Sequence, residues 1–379
     1  MQTFKRIVTT ESLIIRNYSF LIVSRGKSSL SCLTMDNRYN AQLTMIGDSS
    51  TTVIIKKILS APEFYRRILM TNAEVTRILL FIFLVGWVFG VAILILLHQI
   101  ILPIFRSENL PRKPMSLIAK LTLAAAFAGI LCMCYAHWIE PFWLDVTRVA
   151  IQSPKLSGAS RPIKMAHISD LHCDTNENVE PQMIAAIAQE KPDFIVFTGD
   201  TMNEAAALPI LKRTLTSLAK IAPTYVVKGN WDAWYYSKID LFSGTGVREL
   251  NDESVKVEVA GTSLYIVGVP VRMTLNFEQA FRDVPPEAFK ILLHHYPDEM
   301  ETAKQHKVDL YCAGHTHGGQ IALPVYGALV TFSRFDKKYE SGLFQEDGTS
   351  LYVNRGLGIE AHPRFRFFSR PEVTMIEIN

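Results

Sequence analysis

The sequence predicts an α/β domain, with sheets in layers and helices outside them, preceded by two membrane-spanning helices. Two long apolar runs lie before residue 140 of the 379-residue chain. From about residue 160, short β-rich segments alternate with helical stretches and turns, which is typical of layered α/β structure. The hydrophobic share of 49% and the aromatic share of 10% exclude a disordered chain.

Charge and cysteine content exclude two further classes. The 39 Lys and Arg against 36 Asp and Glu leave a formal net charge of +3, which argues against a protein that wraps nucleic acid through bulk charge. The five cysteines contain no C-x-x-C pair, so neither a disulfide framework nor a zinc finger is indicated. We therefore expect no nucleic-acid partner.

Two apolar runs predict a membrane anchor over residues 78–139. Residues 78–97 contain no charged side chain and would span about 30 Å as a helix, the thickness of the hydrocarbon layer. The run 121–139 is weaker, and Trp138 lies near its end as an interfacial residue would. We predict helices over 78–101 and 121–139; the alternative for the first run is a buried core helix.

Residues 1–77 and the orientation of the anchor are poorly defined by the sequence. The first fifty residues lack clear periodicity, so a flexible N-terminal tail and a wrongly assigned start codon both remain open. Basic residues flank both ends of the first apolar run. The positive-inside rule therefore indicates no clear orientation.

Polar residues follow the predicted strands at their carboxyl ends, where α/β sheets bind ligands. The first three strands, predicted at 163–169, 193–199 and 224–229, enclose helices at 180–191 and about 205–220. Further strands are predicted at 255–259, 263–269, 290–295, 309–314, 350–354 and 373–378. Singly, the Asp-x-His and Gly-Asp sites are typical of turns, and the His pair could be one core and one exposed residue, while Gly-His-x-His is more suggestive of ion binding. Together they predict one metal site, built from Asp170, His172, Asp200, Asn230, the pair His294 and His295, His315 and His317.

The residue types indicate the chemistry of this site. Carboxylate, imidazole and amide ligands suit Mn²⁺, Fe²⁺ or Zn²⁺. Two such ions can clamp both ends of an in-line displacement at phosphorus. Glycines beside Asp200, Asn230 and His315 would let backbone and substrate approach closely.

Taken in order, the motifs Asp-Leu-His, Gly-Asp, Gly-Asn, His-Tyr-Pro-Asp and Gly-His-Thr-His-Gly-Gly-Gln resemble the calcineurin-like metallophosphoesterases, in their membrane-associated bacterial branch. The resemblance covers residues 160–379 and implies a four-layer α-β-β-α sandwich. It implies two divalent ions, expected to be Mn²⁺ with Fe²⁺ or Zn²⁺ as alternatives. Asp170, His172 and His317 would bind the first ion, and Asp200 would bridge. The second would be bound by Asn230, His295 and His315.

The same resemblance implies that Asp200, Asn230 and His295 are catalytic. His294 is the rival of His295, which we prefer because it directly precedes Tyr-Pro-Asp. Many family members have a histidine where this chain has Trp231, and an indole cannot donate a titrating proton. Such a site favours a leaving group that departs as a stable anion, as in a pyrophosphate. Alternatively, Trp231 only fills space, and His294 or a water supplies the proton.

Aromatic and basic residues indicate an amphipathic, lipid-linked substrate. Trp231, Arg364 and Arg366 are predicted to contact a headgroup, although ordinary packing would also explain them. Within the family, pyrophosphatases that cleave UDP-2,3-diacylglucosamine to lipid X and UMP in lipid A synthesis also lack the histidine. The resemblance thus predicts a multi-pass protein of the bacterial inner membrane with its catalytic domain on the cytoplasmic side. A broad-specificity metallophosphodiesterase or phosphatase acting outside the cytoplasm, and a non-catalytic membrane scaffold, remain alternatives.

Overall fold

A computed structural model describes residues 19–23, 30–35, 41–46, 70–105, 114–360 and 364–379. The chain divides into two units, Met1–Ile68 and Leu69–Asn379. The first unit contains a three-stranded antiparallel sheet of β1 (Ser19–Val23), β2 (Leu30–Met35) and β3 (Ala41–Ile46). Nothing in the sequence pattern predicted these strands, and the remainder of the predicted N-terminal tail, up to residue 69, lies outside the described residues.

Two long apolar helices open the second unit. Helix α1 runs over Asn72–Phe105 and α2 over Leu117–Trp138. Both are long and apolar enough to cross a membrane, and large side chains such as Leu80, Phe83 and Leu131 are exposed along them. Helix α1 starts six residues before the predicted position because Thr71 and Glu74 cap it: each side chain accepts a hydrogen bond from the other's backbone amide.

The first six-stranded sheet carries the first three predicted strands. Its strands are β4 (Asp145–Ile151), β5 (Ile163–Ile168), β6 (Phe194–Phe197), β7 (Thr224–Val226), β8 (Arg248–Glu249) and β17 (Glu372–Ile378). Their order is β4-β17-β5-β6-β7-β8. Strand β17 pairs antiparallel with β5, and β5 through β8 are mutually parallel. The carboxyl ends of β5, β6 and β7 therefore meet at one edge.

The second six-stranded sheet has the order β15-β16-β12-β11-β10-β9. These strands are β9 (Glu253–Val259), β10 (Thr262–Gly268), β11 (Phe289–Leu293), β12 (Leu310–Ala313), β15 (Gly342–Glu346) and β16 (Thr349–Val353). A separate two-stranded ribbon consists of β13 (Ala322–Leu323) and β14 (Gly327–Ala328). The central strands β10, β11 and β12 are parallel, and β11 and β12 are buried along their whole length, as parallel sheets require.

Helices cover the outer face of each sheet, which gives four layers. On the first sheet lie α3 (Glu180–Glu190) and α4 (Leu208–Ile221), and the short α5 (Asn230–Tyr235) follows β7. On the second lie α6 (Phe277–Phe281) and α7 (Met300–Gln305). A third apolar core, which includes Met165, Phe194 and Ile291, joins the inner faces of the two sheets. The predicted α-β-β-α sandwich is confirmed.

Candidate metal centre

Five of the predicted ligands converge at the carboxyl edge of the two sheets. Ligand atoms of Asp170, His172 and His317 lie within 4.8 Å of one another, and so do those of Asp170, Asp200 and His295. All five side chains are buried. They come from the loops after β5, β6, β11 and β12, so parallel strand ends bring distant parts of the chain into one cleft.

Asp200 lies between the two groups of ligands. Its Oδ2 is 3.8 Å from His172 Nε2 and 3.1 Å from His295 Nε2. Its Oδ1 accepts a hydrogen bond from the backbone amide of Trp231 at 2.8 Å. One carboxylate thus faces histidines of both groups, which is the position that the predicted bridging ligand needs.

Asn230 and His315 lie beside these groups. Asn230 is buried, and its Oδ1 has no hydrogen-bond partner among the described residues. The ring of His315 packs edge-to-face on that of His295, with centroids 5.2 Å apart. His295 Nδ1 donates to Thr198 O at 2.8 Å, which leaves its Nε2 directed at the two carboxylates.

Left-handed backbone conformations concentrate at the ligands. Positive φ angles, which non-glycine residues adopt rarely, occur at Asp170, His172, Asp200, His315 and His317, with values of 49°, 40°, 59°, 71° and 52°. Each costs on the order of 1–3 kcal/mol and persists only where the surrounding structure enforces it. Such clustering is typical of functional sites.

Two glycines make room for the carboxylates. A Cβ on Gly229 would lie 2.1 Å from Asp200 Oδ1. A Cβ on Gly314 would lie 1.9 Å from Ser169 Oγ and 2.2 Å from Asp170 Oδ2. Any side chain at either position would collide with the site, which is the close approach that the sequence suggested.

Burial and neighbouring charges shift the pKa values of the cluster strongly. Burial raises the pKa of Asp200 to about 6, although His295 opposes the shift. Burial disfavours the charged form of His295, but the charges of Asp200 and Asp170 outweigh this and raise its pKa to about 9. Burial, reinforced by the charge of His295, lowers the pKa of His315 to about 3. For Asp170, the charges of His317 and His295 overcome burial and hold its pKa below the ordinary value.

The donor set fits divalent cations. Buried carboxylates and imidazoles are unfavourable unless they are paired or bind a metal. Among the described residues, His172 Nε2 and Asn230 Oδ1 are buried without hydrogen-bond partners. Oxygen and nitrogen ligands of this kind suit borderline divalent ions, so the residues present match a metal centre.

The structure places His294 outside both ligand groups. His294 Nδ1 donates to Val269 O at 2.7 Å, and its ring packs against Phe277 of α6. Trp231 contacts His172 edge-to-face at 5.1 Å between centroids, and its Nε1 donates to Glu360 Oε1 at 3.0 Å. The indole thus covers one ligand histidine.

Arg366 requires a correction. It was predicted to contact a headgroup, but its side chain is 0% exposed, and burial lowers its pKa to about 10. Its guanidinium donates to the carbonyl oxygens of Arg355, Gly358 and Ser369, so it supports the loops behind the site. The prediction was wrong because an alternation of Arg and Phe is typical of a surface strand, whereas here the surrounding loops bury Arg366. Arg364 is partly exposed and pairs with Asp174 through its two terminal guanidinium nitrogens.

Asp232 is a site residue that sequence reasoning missed. It is fully buried and accepts hydrogen bonds from the amides of Asp200, Thr201 and Gly229 and from Thr201 Oγ1. The available signal was an acidic residue in the first turn of a helix that starts at Gly-Asn. By contrast, Cys173 and Cys312 lie in the apolar cores.

Comparison with known proteins identifies the class. A family model described as calcineurin-like phosphoesterase matches residues 163–319. The metallophosphoesterase YkuE of Bacillus subtilis is 32% identical over 265 residues, which cover 64% of this chain and 88% of that protein. The chain belongs to the calcineurin-like phosphoesterase family, and the predicted class of metal-dependent phosphoester hydrolase is confirmed.

Two further relatives carry more specific names. The phosphodiesterase YaeI of Escherichia coli is 29% identical over 274 residues, covering 67% of this chain and 96% of that protein. The UDP-2,3-diacylglucosamine pyrophosphatase LpxG of Chlamydia trachomatis is 29% identical over 318 residues, covering 68% of this chain and 96% of that protein. Both names describe hydrolases of phosphate esters or anhydrides, and the Asp and His ligands of the present site suit divalent ions.

Proposed function

We propose that this protein is a membrane-anchored phosphohydrolase that cleaves the pyrophosphate bond of UDP-2,3-diacylglucosamine to lipid X and UMP. The observation that carries the proposal is a cavity between the end of α2 and the loops of the metal cluster. Similarity to LpxG supports the choice of substrate.

The cavity lies between the end of the apolar helix α2 and the loop that carries His172. It has a volume of about 240 Å³ and is lined on one side by the end of α2 and the following turn. Trp138 and Phe142, which line it, are 66% and 45% exposed. The opposite wall includes Asp174 and Gly358, which flank His172: a Cβ on Gly358 would lie 2.6 Å from His172 Cβ. An amphipathic substrate could thus rest its apolar part by α2 and its phosphates at the ligands.

The helix ends favour a domain that lies on one face of a membrane. Arg77, near the start of α1, pairs with Asp336, and Ala136, near the end of α2, accepts a hydrogen bond from the amide of Arg366. If the hairpin of α1 and α2 spans the bilayer, both ends return to the same domain. Since a UDP-linked lipid is made from a cytoplasmic nucleotide, we place this domain on the cytoplasmic side of a bacterial inner membrane.

The ligand assignment follows the two groups of side chains. Asp170, His172 and His317 would hold one ion, Asn230, His295 and His315 the other, and Asp200 would contact both; Mn²⁺ is proposed, with Fe²⁺ or Zn²⁺ as alternatives. When bound, the ions neutralise charge on the phosphoryl oxygens and lower the pKa of water.

The protein's own residues then orient the reaction and limit its substrates. Asp200, Asn230 and His295 are the proposed catalytic residues, and Trp231 excludes water from the His172 side. Trp231 supplies no proton to the leaving group. A departing UMP needs none, because its phosphate is already a stable anion near neutral pH, with a second pKa of about 6.

An assay of the purified full-length protein tests this proposal. With Mn²⁺ and UDP-2,3-diacylglucosamine we expect UMP and lipid X, identified by mass spectrometry. The variant Asp200→Asn should abolish product formation. If the lipid stays intact while simple phosphodiesters are hydrolysed, the substrate assignment is wrong.

A second candidate is a broad-specificity phosphodiesterase or phosphatase that acts outside the cytoplasm. Similarity to the phosphodiesterase YaeI favours it. Topology separates the two candidates. A reporter fused after Asn379 that is active only outside the cytoplasm would exclude a cytoplasmic UDP-lipid and support this alternative.

A further inference from the structure

The start of α1 is attached to a loop of the catalytic domain through Glu74. The Glu74 carboxylate is fully buried. Besides capping the helix, its Oε1 accepts hydrogen bonds from Thr331 N at 2.7 Å, Thr331 Oγ1 at 3.1 Å and Phe332 N at 3.2 Å. A buried carboxylate is stable only with such donors. These hydrogen bonds therefore hold the 331–332 loop and the start of α1 in place relative to each other.

The same loop contacts a predicted metal ligand. Phe332 has a positive φ of 52°, and its carbonyl oxygen lies 3.3 Å from His315 Nε2. Because a carbonyl only accepts, Nε2 must carry the proton, which leaves Nδ1 as the nitrogen available to a cation. A short path of hydrogen bonds therefore runs from Glu74 through the backbone of Phe332 to His315.

The end of α2 repeats this arrangement with a second buried carboxylate. Glu140, two residues after α2, is fully buried and accepts hydrogen bonds from Phe368 N at 2.9 Å and from Ser369 N. Ser369 Oγ donates to His317 O. Arg366 lies between them: it donates to Ser369 O at 2.8 Å, and its guanidinium is 3.4 Å from His317 Nδ1.

We propose that Glu74 and Glu140 are positioning residues that couple the two apolar helices to the metal centre. Glu74 would fix the orientation of His315, and Glu140 that of His317. The inference rests on the ligand assignment of the proposed function, in which these two histidines bind different ions. Each helix end would therefore control the affinity of one ion separately.

Mn²⁺ titration of the full-length protein in lipid nanodiscs tests this coupling, with free Mn²⁺ followed by electron paramagnetic resonance. Glu74→Ala should lower the affinity for one of the two ions about tenfold or more, as the loss of a residue that supports a metal ligand does. Glu140→Ala should weaken the other ion similarly. Glu74→Gln can keep its oxygen on Thr331 and Phe332 and should restore most of the affinity. Glu140→Gln keeps only one of the two bonds, to Phe368 N or to Ser369 N, and should restore the affinity in part.

Double variants assign each path to its histidine. Glu74→Ala should reduce the Mn²⁺ affinity little further in a His315→Ala background but by its full amount in a His317→Ala background. Glu140→Ala should reduce it little further in a His317→Ala background but by its full amount in a His315→Ala background. Arg77→Leu and Arg370→Leu are the matched controls. Arg77→Leu removes the bonds to Leu329 O and Asp336, and Arg370→Leu removes those to Trp143 O and Leu144 O, beside the same helix ends. Both variants should leave both ions bound as in the wild type.

Two results would overturn the coupling. One is unchanged binding of both ions in Glu74→Ala and Glu140→Ala. The other is that each Glu→Ala variant weakens the binding of both ions equally, in proportion to its fall in melting temperature, and that the control variants do the same. That result would indicate a structural role alone. Fewer than two ions bound by the wild type would contradict the proposed function itself, and this inference with it.

Discussion

Asp232 Oδ2 accepts hydrogen bonds from two backbone amides, that of Asp200 at 2.9 Å and that of Gly229 at 2.9 Å. These contacts join the loops after β6 and β7, which carry Asp200 and Asn230. A carboxylate that accepts several backbone hydrogen bonds in a buried site contributes more than a neutral acceptor can. The geometry of the proposed bridging position therefore depends on Asp232, which belongs to neither ligand group.

Asp232→Asn should destabilise both loops. The amide nitrogen must face at least one backbone N–H, so a buried donor loses its partner, at a cost of about 1–3 kcal/mol. We expect a lower free energy of unfolding in urea and weaker Mn²⁺ binding. Asp240→Asn is the control, because Asp240 is exposed and accepts a hydrogen bond from Ser243 N at the surface. Equal effects of the two changes would contradict this prediction.

Gly314→Ala should abolish activity. The new methyl group would lie 1.9 Å from Ser169 Oγ, and a packed site can relieve such an overlap only by moving Asp170 or the turn that carries His315. Gly158→Ala is the control, because a Cβ there meets no atom within 4 Å. Initial hydrolysis rates together with thermal melting check the prediction, and wild-type activity in Gly314→Ala would refute it.

Metal affinity should rise with pH between about 6 and 9. Without metal, His295, whose pKa is raised to about 9, is protonated at pH 7, and Asp200 takes up its proton below about pH 6. A metal binds only the deprotonated ligands and must displace these protons. Calorimetry at pH 7.5 in two buffers of different ionisation enthalpy should show release of about one proton per protein.

The variant His295→Gln provides the control for this titration. It should bind metal more weakly but with little pH dependence between pH 7 and 9, since the group that holds the proton is gone. Proton release that persists in His295→Gln, or none in the wild type, would show that another group titrates.

Trp231→His should change which leaving groups the enzyme tolerates. An imidazole beside His172 can protonate an alkoxide, which typically accelerates such reactions by about 10²-fold or more. Hydrolysis of alkyl phosphoesters should therefore rise relative to that of pyrophosphates. Trp231→Phe, which also loses the hydrogen bond to Glu360, should leave the ratio of the two kcat/KM values unchanged. The same change in ratio for both variants would indicate that the indole only fills space.

Much of the site is predictable from sequence because its ligands directly follow strands. The strands over 163–168, 194–197 and 224–226 end just before Asp170, Asp200 and Asn230. Parallel strand ends meet at one edge, so the order of motifs already indicates a common cleft. The preference for His295 over His294 also agrees with its place in a ligand group.

Other features depend on contacts between residues far apart in the chain. Arg366 alternates with phenylalanines as a surface residue would, yet loops around residues 355–358 enclose it. Similarly, Glu74 and Asp232 read locally as helix-capping residues, and only the packing of the 331–332 and 200–201 loops gives them a second role. Local sequence determined the long helices, most strands of the two six-stranded sheets and the chemical nature of the ligands, because these depend on short-range periodicity and residue type. The tertiary structure alone decided which buried charges meet, because that depends on which distant loops the four layers bring together.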